Sequence, residues 1–242
     1  MAMRKKWHRF IGAWTSAGIF RDLGLAMSLS PRVVRKIIKP TVFILMLLPL
    51  AWVFYGWWLY IMGDLSLVTA NPIEYTNRHL GDWAMRFLLV TLAVRPLSRI
   101  KSLVWLMQLR RMVGLFCFFY AFLHVSSYVV LDQFFDWPEI LDDILKRQFI
   151  TVGMITLTLL TPLAMTSTKA MIKRLGSLRW QKLHSLIYLA SVLVIFHYWM
   201  MVKGNQLEPK IYAFIVAALL LSRLPQRVKK RSKLAQEKAG LQ

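Results

Sequence analysis

The longest apolar run of the chain, TVFILMLLPLAWVFYGWWLYIM at residues 41–62, is long enough to cross a lipid bilayer as a helix. An α-helix rises about 1.5 Å per residue, so about 20 apolar residues span the hydrocarbon core. Five further runs have a similar character: residues 82–97, 112–131, 149–165, 183–202 and 211–224. The pattern predicts an all-α integral membrane protein built as a six-helix transmembrane bundle.

Basic residues are concentrated between alternate runs and at both termini. The chain has 32 Lys and Arg against 11 Asp and Glu, a formal net charge of +21. Segments rich in Lys and Arg stay in the cytoplasm, so both termini are predicted to be cytoplasmic. A basic balance is also typical of nucleic-acid binding. Here the charges flank membrane spans, so we predict the lipid bilayer as the partner and no nucleic acid.

The same charges divide the chain into three predicted parts. Residues 1–40 form a basic cytoplasmic extension, residues 41–224 the transmembrane domain, and residues 225–242 a basic cytoplasmic tail. The extension either lies on the inner leaflet as an amphipathic patch or is solvated. The single cysteine, Cys117, falls in an apolar run and is predicted to be a small core residue.

Three histidines, His124, His184 and His197, fall inside predicted spans. An imidazole in hydrocarbon needs partners for its polar nitrogens, so an intramembrane histidine indicates a functional site. At about 1.5 Å per residue, His124 and His197 lie at a similar depth in the outer half. Two imidazoles at one level can ligate a planar iron cofactor, such as a haem, from both faces. His184 lies about 20 Å below His197, which suits a second redox centre.

The spacing between His184 and His197 complicates this arrangement. The two residues are 13 positions apart, and at about 100° per residue they point about 140° away from one another on a straight helix. Either the helix bends or unwinds near His184, or the two imidazoles face different surroundings. Arg86 and Lys203, near the outer ends of spans two and five, are candidates to pair with haem propionates. Snorkelling of these cations to lipid headgroups is the alternative.

Other interpretations of the histidines compete with metal ligation. His124 can be satisfied by a Ser or Tyr on a neighbouring helix, and His184 can be an interfacial anchor. His8 and His79 are expected to be solvated or interfacial. A transporter with a histidine proton relay would need Asp or Glu in the interior of a span, where the sequence has none. A structural anchor that docks a partner through the acidic loop 132–143 does not need three membrane histidines.

Five segments of the chain, taken in order, resemble the MsrQ family, formerly YedZ. They are NPIEYTNRHLGDWAMRFLLVTLAVRPL, RRMVGLFCFFYAFLHVSSYVVLD, ITVGM, LAMTSTKAMIKRLGSLRWQKLHSLIYL and FHYWMMVK. The resemblance covers residues 41–224 and does not include the basic N-terminal stretch. The family belongs with the ferric-reductase-like transmembrane domains, and its members are haem-binding membrane subunits of bacterial methionine sulfoxide reductase systems.

The resemblance implies a function and a set of cofactors. It implies haem b, one or two per chain, associated with His124, His184 and His197, and FMN at a site that the sequence does not assign. Electrons would pass from the quinone pool or a cytosolic flavin reductase to a periplasmic molybdenum-containing reductase, MsrP. The protein would lie in the bacterial inner membrane and perform no substrate chemistry of its own. The alternative is a related b-type cytochrome with a different electron acceptor.

Overall fold

The chain is helical throughout the part that the structure describes. The computed structural model describes residues 30–202 and 206–223. Within these ranges the elements are α1 (Pro31–Ile61), α2 (Pro72–Leu97), a 3-10 helix (Lys101–Gln108), α3 (Arg110–Asp132), α4 (Trp137–Lys146), α5 (Gln148–Met165), α6 (Lys169–Leu175), α7 (Ser177–Met201) and α8 (Leu207–Leu221). Short π-helical segments lie in α1 at Val34–Ile38 and at the end of α3 at Tyr128–Asp132. The predicted all-α class is confirmed for the described residues.

Helices occupy all six predicted segments, and each begins before its apolar run, the first two by ten residues. α2 begins at Pro72, ten residues before the predicted span, because Asn71 Oδ1 accepts the Glu74 amide at 3.1 Å and caps the helix. α1 likewise begins at Pro31 after the capping residue Ser30, and so includes the end of the predicted N-terminal extension. Proline suits the first helical position because the amides of the first turn have no carbonyl partner within the helix, so the absence of an N–H costs nothing there.

Four helices are long and apolar enough to cross a membrane, namely α1, α3, α5 and α7. α2 carries several charged residues, including Arg78, Asp82 and Arg86, and α8 has 15 residues, so neither is among these four. The described residues therefore contain four candidate membrane spans. The six-span arrangement with both termini in the cytoplasm stays a prediction.

The main apolar core lies between α2 and α3, where their side chains interdigitate with one residue of α1. Its buried members are Leu80, Ala84, Phe87, Leu88, Leu92, Leu109, Val113, Phe116, Cys117, Tyr120 and Met46. The prediction that Cys117 is a small core residue is confirmed. A second cluster joins α5 to α7 through Leu160, Leu163 and Ala190. These two helix pairs are the framework on which the candidate site is built.

The connecting segments lie at two ends of the bundle that differ in charge. We call them the basic end, with residues 98–109, 166–176 and 222–223, and the acidic end, with residues 62–71, 133–147, 202 and 206. Arg99 donates to the Ser222 carbonyl at the basic end, and Tyr198 Oη donates to Glu208 at 2.8 Å at the acidic end. Of the 11 acidic residues of the chain, two lie outside the described ranges. The other nine all lie in the half of the bundle nearer the acidic end.

The buried Tyr120 of α3 bridges two backbone groups of α1 beside Pro49. Its hydroxyl donates to the Met46 carbonyl at 2.8 Å and accepts the Leu50 amide at 3.1 Å. The two groups stand on either side of the proline, which lies inside the helix. A proline inside a membrane helix is tolerated where a neighbouring helix offers hydrogen bonds to the backbone around it. One hydroxyl therefore bonds two groups of α1 and joins α3 to it.

Replacing Tyr120 with Phe should destabilise the bundle. The variant removes both hydrogen bonds between α3 and the backbone of α1, which should lower the free energy of unfolding by about 1–3 kcal/mol. The exposed Tyr55 of α1 offers a matched control, and Tyr55→Phe should change the same quantity by less than about 0.5 kcal/mol. Unfolding in detergent micelles, followed by tryptophan fluorescence, measures both. Equal stability of the two variants would contradict the bridging role.

Candidate functional site

A cavity of about 550 Å³ lies between α2, α3, α5 and α7, in the half of the bundle nearer the acidic end. Its volume is within the range of ~300–1,000 Å³ that is usual for small-molecule sites. The wall is largely apolar and includes Met85, Leu88, Leu157, Leu160 and Val194. Charged residues among its lining include Glu74, Arg78, Asp132, Arg147 and Glu208. His124 and His197 are the histidines that line it.

His124 of α3 is held through its Nδ1 atom. This nitrogen lies 2.9 Å from the backbone carbonyl oxygen of Asn77 in α2. Because a carbonyl only accepts hydrogen bonds, Nδ1 carries the proton and Nε2 keeps its lone pair. The Asn77 side chain also donates to the His124 carbonyl at 3.3 Å and to Ser127 Oγ at 3.2 Å. The ring is therefore fixed as a neutral imidazole with Nε2 available to a ligand.

His197 of α7 is held in the same way by α5. Its Nδ1 atom lies 2.7 Å from the backbone carbonyl oxygen of Phe149, close to the start of that helix. The Phe149 ring lies beside the imidazole, with 6.5 Å between the ring centroids. The same tautomer follows, so His197 also keeps a lone pair on Nε2.

A glycine four residues after each acceptor allows the imidazole to reach the carbonyl. Gly81 follows Asn77, and Gly153 follows Phe149, so each glycine amide faces the same carbonyl along the helix. A Cβ atom added at either glycine would lie 3.0–3.1 Å from the nearest imidazole atom, closer than side chains normally approach. The missing Cβ leaves a space, here called a glycine notch, in which the ring lies. Each histidine thus pairs with one notch on a neighbouring helix.

The two imidazoles lie close together across the cavity. Their ring centroids are 6.2 Å apart and their planes are inclined at 80°. An imidazole–metal bond is about 2 Å, and the ring centroid lies about 1 Å beyond the nitrogen, so two imidazoles on one ion place their centroids about 6 Å apart. The observed spacing fits one metal ion between the two rings. The sequence predicts a similar depth for the two histidines, and the structure places their rings side by side.

The donor set also bears on the kind of metal site. Among the described residues, no group of three or more His, Cys, Asp or Glu side chains is arranged to hold a metal ion. Two imidazoles alone make a weak site for a bare ion. They are sufficient for a haem, because the porphyrin supplies the other ligands and the protein supplies only the axial ones. The apolar wall of the cavity suits such a group.

His184 lies apart from this pair. It ends the first segment of α7, Ser177–His184, and the helix resumes at Leu186. The spacing of His184 and His197 left two alternatives, a bend in the helix or different surroundings for the two rings. Both hold in the structure, because the helix is interrupted at Ser185 and the imidazoles face different surroundings. His184 Nδ1 bonds the Trp180 carbonyl at 3.2 Å, and its ring stacks on the indole at 3.9 Å.

The second nitrogen of His184 lacks a partner. Nε2 is buried and forms no hydrogen bond within the described residues, although the Leu163 carbonyl faces the ring. A buried polar nitrogen without a partner costs free energy. His184 therefore also presents a nitrogen suited to a ligand, at the basic end of the bundle.

Neither of the two cations predicted to bind propionates, Arg86 and Lys203, is found in the lining of the cavity among the described residues. Arg86 pairs with Asp82 on its own helix at 3.8 Å and does not line the cavity. Lys203 lies outside the described residues. The cations that do line the cavity are Arg78 and Arg147.

His79 is joined to a neighbouring helix. The sequence predicts a solvated or interfacial ring, and in the structure the ring is partly buried, with Nε2 bonded to the Pro49 carbonyl of α1 at 3.1 Å. The carbonyl is that of the proline inside α1, and it can accept a side-chain donor because a carbonyl oxygen has two lone pairs. His8 lies outside the described residues.

Comparison with known proteins identifies the family. Residues 80–195 match the family described as the ferric reductase like transmembrane component. A protein of Rhodospirillum rubrum, named protein-methionine-sulfoxide reductase heme-binding subunit MsrQ, is 50% identical over 190 residues, which cover 78% of this chain and 88% of the relative. The chain belongs to the MsrQ family.

Other relatives show the range of this similarity. MsrQ of Herminiimonas arsenicoxydans is 47% identical over 205 residues, 81% of this chain and 88% of the relative. Magnetosome protein MamZ of Paramagnetospirillum magneticum is 42% identical over 193 residues, 78% of this chain but 29% of that protein. An MsrQ-like segment thus also occurs within a larger protein. The ferric-reductase-like match includes His124 and His184 and ends two residues before His197.

The glycine notches are the part of the site that sequence reasoning missed. α2 and α5 each contain a single glycine, Gly81 and Gly153. Glycine costs a helix about 1 kcal/mol relative to alanine, so a lone glycine in a membrane helix indicates close approach of another group. The single glycine of each helix was therefore a visible signal. The imidazole that each glycine faces could not be predicted, because tertiary packing determines it.

Alanine substitution should distinguish the notches from other glycines. Gly81→Ala and Gly153→Ala each place a Cβ against an imidazole, and overpacking should lower the free energy of unfolding by about 1–3 kcal/mol. Gly114 is the matched control, since its added Cβ would meet Thr91 at an ordinary 3.5 Å. Gly114→Ala should raise stability by up to about 1 kcal/mol through helix propensity. Unfolding in detergent measures all three, and a stabilising effect at Gly81 or Gly153 would refute the notch.

Proposed function

We propose that this chain is a transmembrane electron-transfer subunit that carries haem b between His124 and His197. The observation that carries the proposal is the imidazole pair, with 6.2 Å between ring centroids and each Nδ1 bonded to a helix carbonyl. The names of the relatives from Rhodospirillum and Herminiimonas, both heme-binding subunits, support it. When bound, the haem iron would supply one-electron redox chemistry.

The residues of this chain supply ligation, orientation and a dry environment. Asn77 and Phe149 fix the tautomers of the two histidines through their carbonyls, so that both present Nε2. The apolar wall limits water around the site and keeps the local dielectric low, which helps to set a reduction potential. Arg78 and Arg147, together with Arg86 and Lys203 as the sequence predicts, are candidates to pair with the propionates.

We further propose the direction of electron flow. Electrons would enter at the basic end from the quinone pool or a cytosolic flavin reductase, with FMN associated at a site not yet assigned. They would leave at the acidic end to a periplasmic MsrP-like reductase that repairs oxidised methionines in envelope proteins. The chain itself would perform no substrate chemistry. The second candidate is a related b-type carrier with another acceptor.

His184 is proposed as the ligand of a second haem nearer the basic end. Its buried Nε2 has no hydrogen-bond partner among the described residues, and its ring is held by Trp180. The number of haems is therefore one or two. A second axial ligand for this site is not assigned.

The topology is part of the proposal. Six spans in the bacterial inner membrane would place both termini, with the basic extension 1–40 and the tail 225–242, in the cytoplasm, flanking the domain 41–224. The separation of charge between the two ends supports this orientation, because cytoplasmic ends of membrane proteins are enriched in Lys and Arg.

Spectra of histidine variants test the haem pair. Protein purified from haem-supplemented cells should show a b-type α band on reduction, and His124→Gly or His197→Gly should lose most of that haem because one axial ligand is missing. Free imidazole should restore part of the band, since it occupies the vacated position. His79→Gln is the matched control, because His79 does not line the cavity. Full haem content in both glycine variants would refute the ligand pair.

Cysteine labelling tests the topology. Leu65→Cys lies at the acidic end and Lys101→Cys at the basic end, both exposed, while the native Cys117 is buried and provides a low background. In intact spheroplasts a membrane-impermeant maleimide should label Leu65→Cys. It should label Lys101→Cys only after permeabilisation. The opposite pattern would reverse the proposed orientation.

A further inference from the structure

Three arginines from different helices come together at the basic end. Arg95 lies near the end of α2, Arg110 begins α3, and Arg223 follows the end of α8. All three guanidinium groups lie within electrostatic range of Tyr188 on α7, and Arg110 is also within range of the other two arginines. Like charges repel, so this grouping needs a compensating interaction.

Arg223 is held rigidly within this cluster. Its side chain is 5% exposed, and Nη1 donates to Tyr188 Oη at 2.8 Å while Nη2 donates to the Leu92 carbonyl. The guanidinium carbon lies 5.0 Å from the centre of the Tyr188 ring. Its Nε atom is buried and has no hydrogen-bond partner within the described residues. A fixed cation therefore has an unused donor.

The described chain provides no counter-charge for the cluster. None of the salt bridges among described residues includes Arg95, Arg110 or Arg223. All nine described carboxylates lie in the other half of the bundle, and the remaining two, Asp22 and Glu237, lie outside the described residues. Leaving a buried cation such as Arg223 and a partly buried one such as Arg110 without an anion is costly. The start of α3, which has no side-chain cap, adds the positive end of a helix dipole.

We propose that Arg95, Arg110 and Arg223 form a binding site for a phosphate group. A guanidinium presents paired donors that match phosphate oxygens, and several around one anion are typical of phosphate sites. The three residues lie at helix ends, where the headgroups of the adjacent leaflet are found. The phosphate would belong either to an anionic phospholipid or to a soluble phosphate ester. The inference does not depend on the haem pair, which lies nearer the other end.

Arg110→Gln tests the site with a neighbouring control. Arg111 is the next residue, is exposed, and is not part of the cluster, so Arg111→Gln removes the same charge without the same contacts. In nanodiscs of mixed phosphatidylglycerol and phosphatidylcholine, native mass spectrometry measures which lipid the full chain retains. In detergent, quenching of flavin fluorescence compares FMN with riboflavin, which lacks the phosphate. Arg110→Gln should lower the affinity for the preferred phosphate ligand about tenfold, and Arg111→Gln should leave that affinity unchanged.

The two arms identify the source of the phosphate. Preference for phosphatidylglycerol over phosphatidylcholine supports a lipid site, and preference for FMN over riboflavin supports a soluble ester. Arg95→Gln provides a second variant at an exposed position, where loss of the side chain does not disturb the core. The proposal is overturned if the wild type shows neither preference, or if both cluster variants bind as the wild type does. Haem content, measured on the same samples, reports separately on the proposed function.

Discussion

The hydrogen bond from an imidazole Nδ1 to a helix carbonyl is the interaction on which the rest of this structure depends. In hydrocarbon a donor without a partner is costly, and water is not available to satisfy it. The bond fixes the tautomer and the orientation of the ring, and it requires that the neighbouring helix approach closely. At His124 and His197 that approach is possible because a glycine stands four residues after each acceptor. The packing of α2 against α3 and of α5 against α7 follows from the same requirement.

Bonds of this kind recur throughout the bundle. Tyr120 and His79 each donate from one helix to a backbone carbonyl of another, and Arg223, just after α8, donates to the Leu92 carbonyl of α2. A carbonyl oxygen has two lone pairs, so it can accept a second donor while its helix persists. Apolar burial does little to hold helices together in lipid, because lipid is as apolar as the core. Side-chain bonds to neighbouring backbones give the bundle specific contacts that burial alone does not provide.

The sequence predicted the helical class and a similar depth for His124 and His197, because apolar length and helical rise are local properties. The early start of α2 is also indicated by local sequence, namely the capping residue Asn71 and the proline after it. A search for apolar runs alone does not detect this signal. The glycine notches were not predictable in full. Gly81 and Gly153 are visible in the sequence, whereas the rings that they accommodate come from helices 40 or more positions away. The hydrogen bond of His79 was not predictable for the same reason, since its acceptor lies on α1.

The separation of charge between the ends has a consequence for energetics. Fixed charges create a field across the low-dielectric interior, where Coulomb interactions are weakly screened. An electron that moves from the basic end to the acidic end leaves a region of positive potential and enters a negative one, so the protein's own field opposes the proposed outward transfer. The membrane potential, negative inside, acts the other way by about 2.3 kcal/mol per charge per 100 mV. An anion bound among the arginines would weaken the opposing field, and its occupancy would then alter the driving force for electron transfer at a site it never touches.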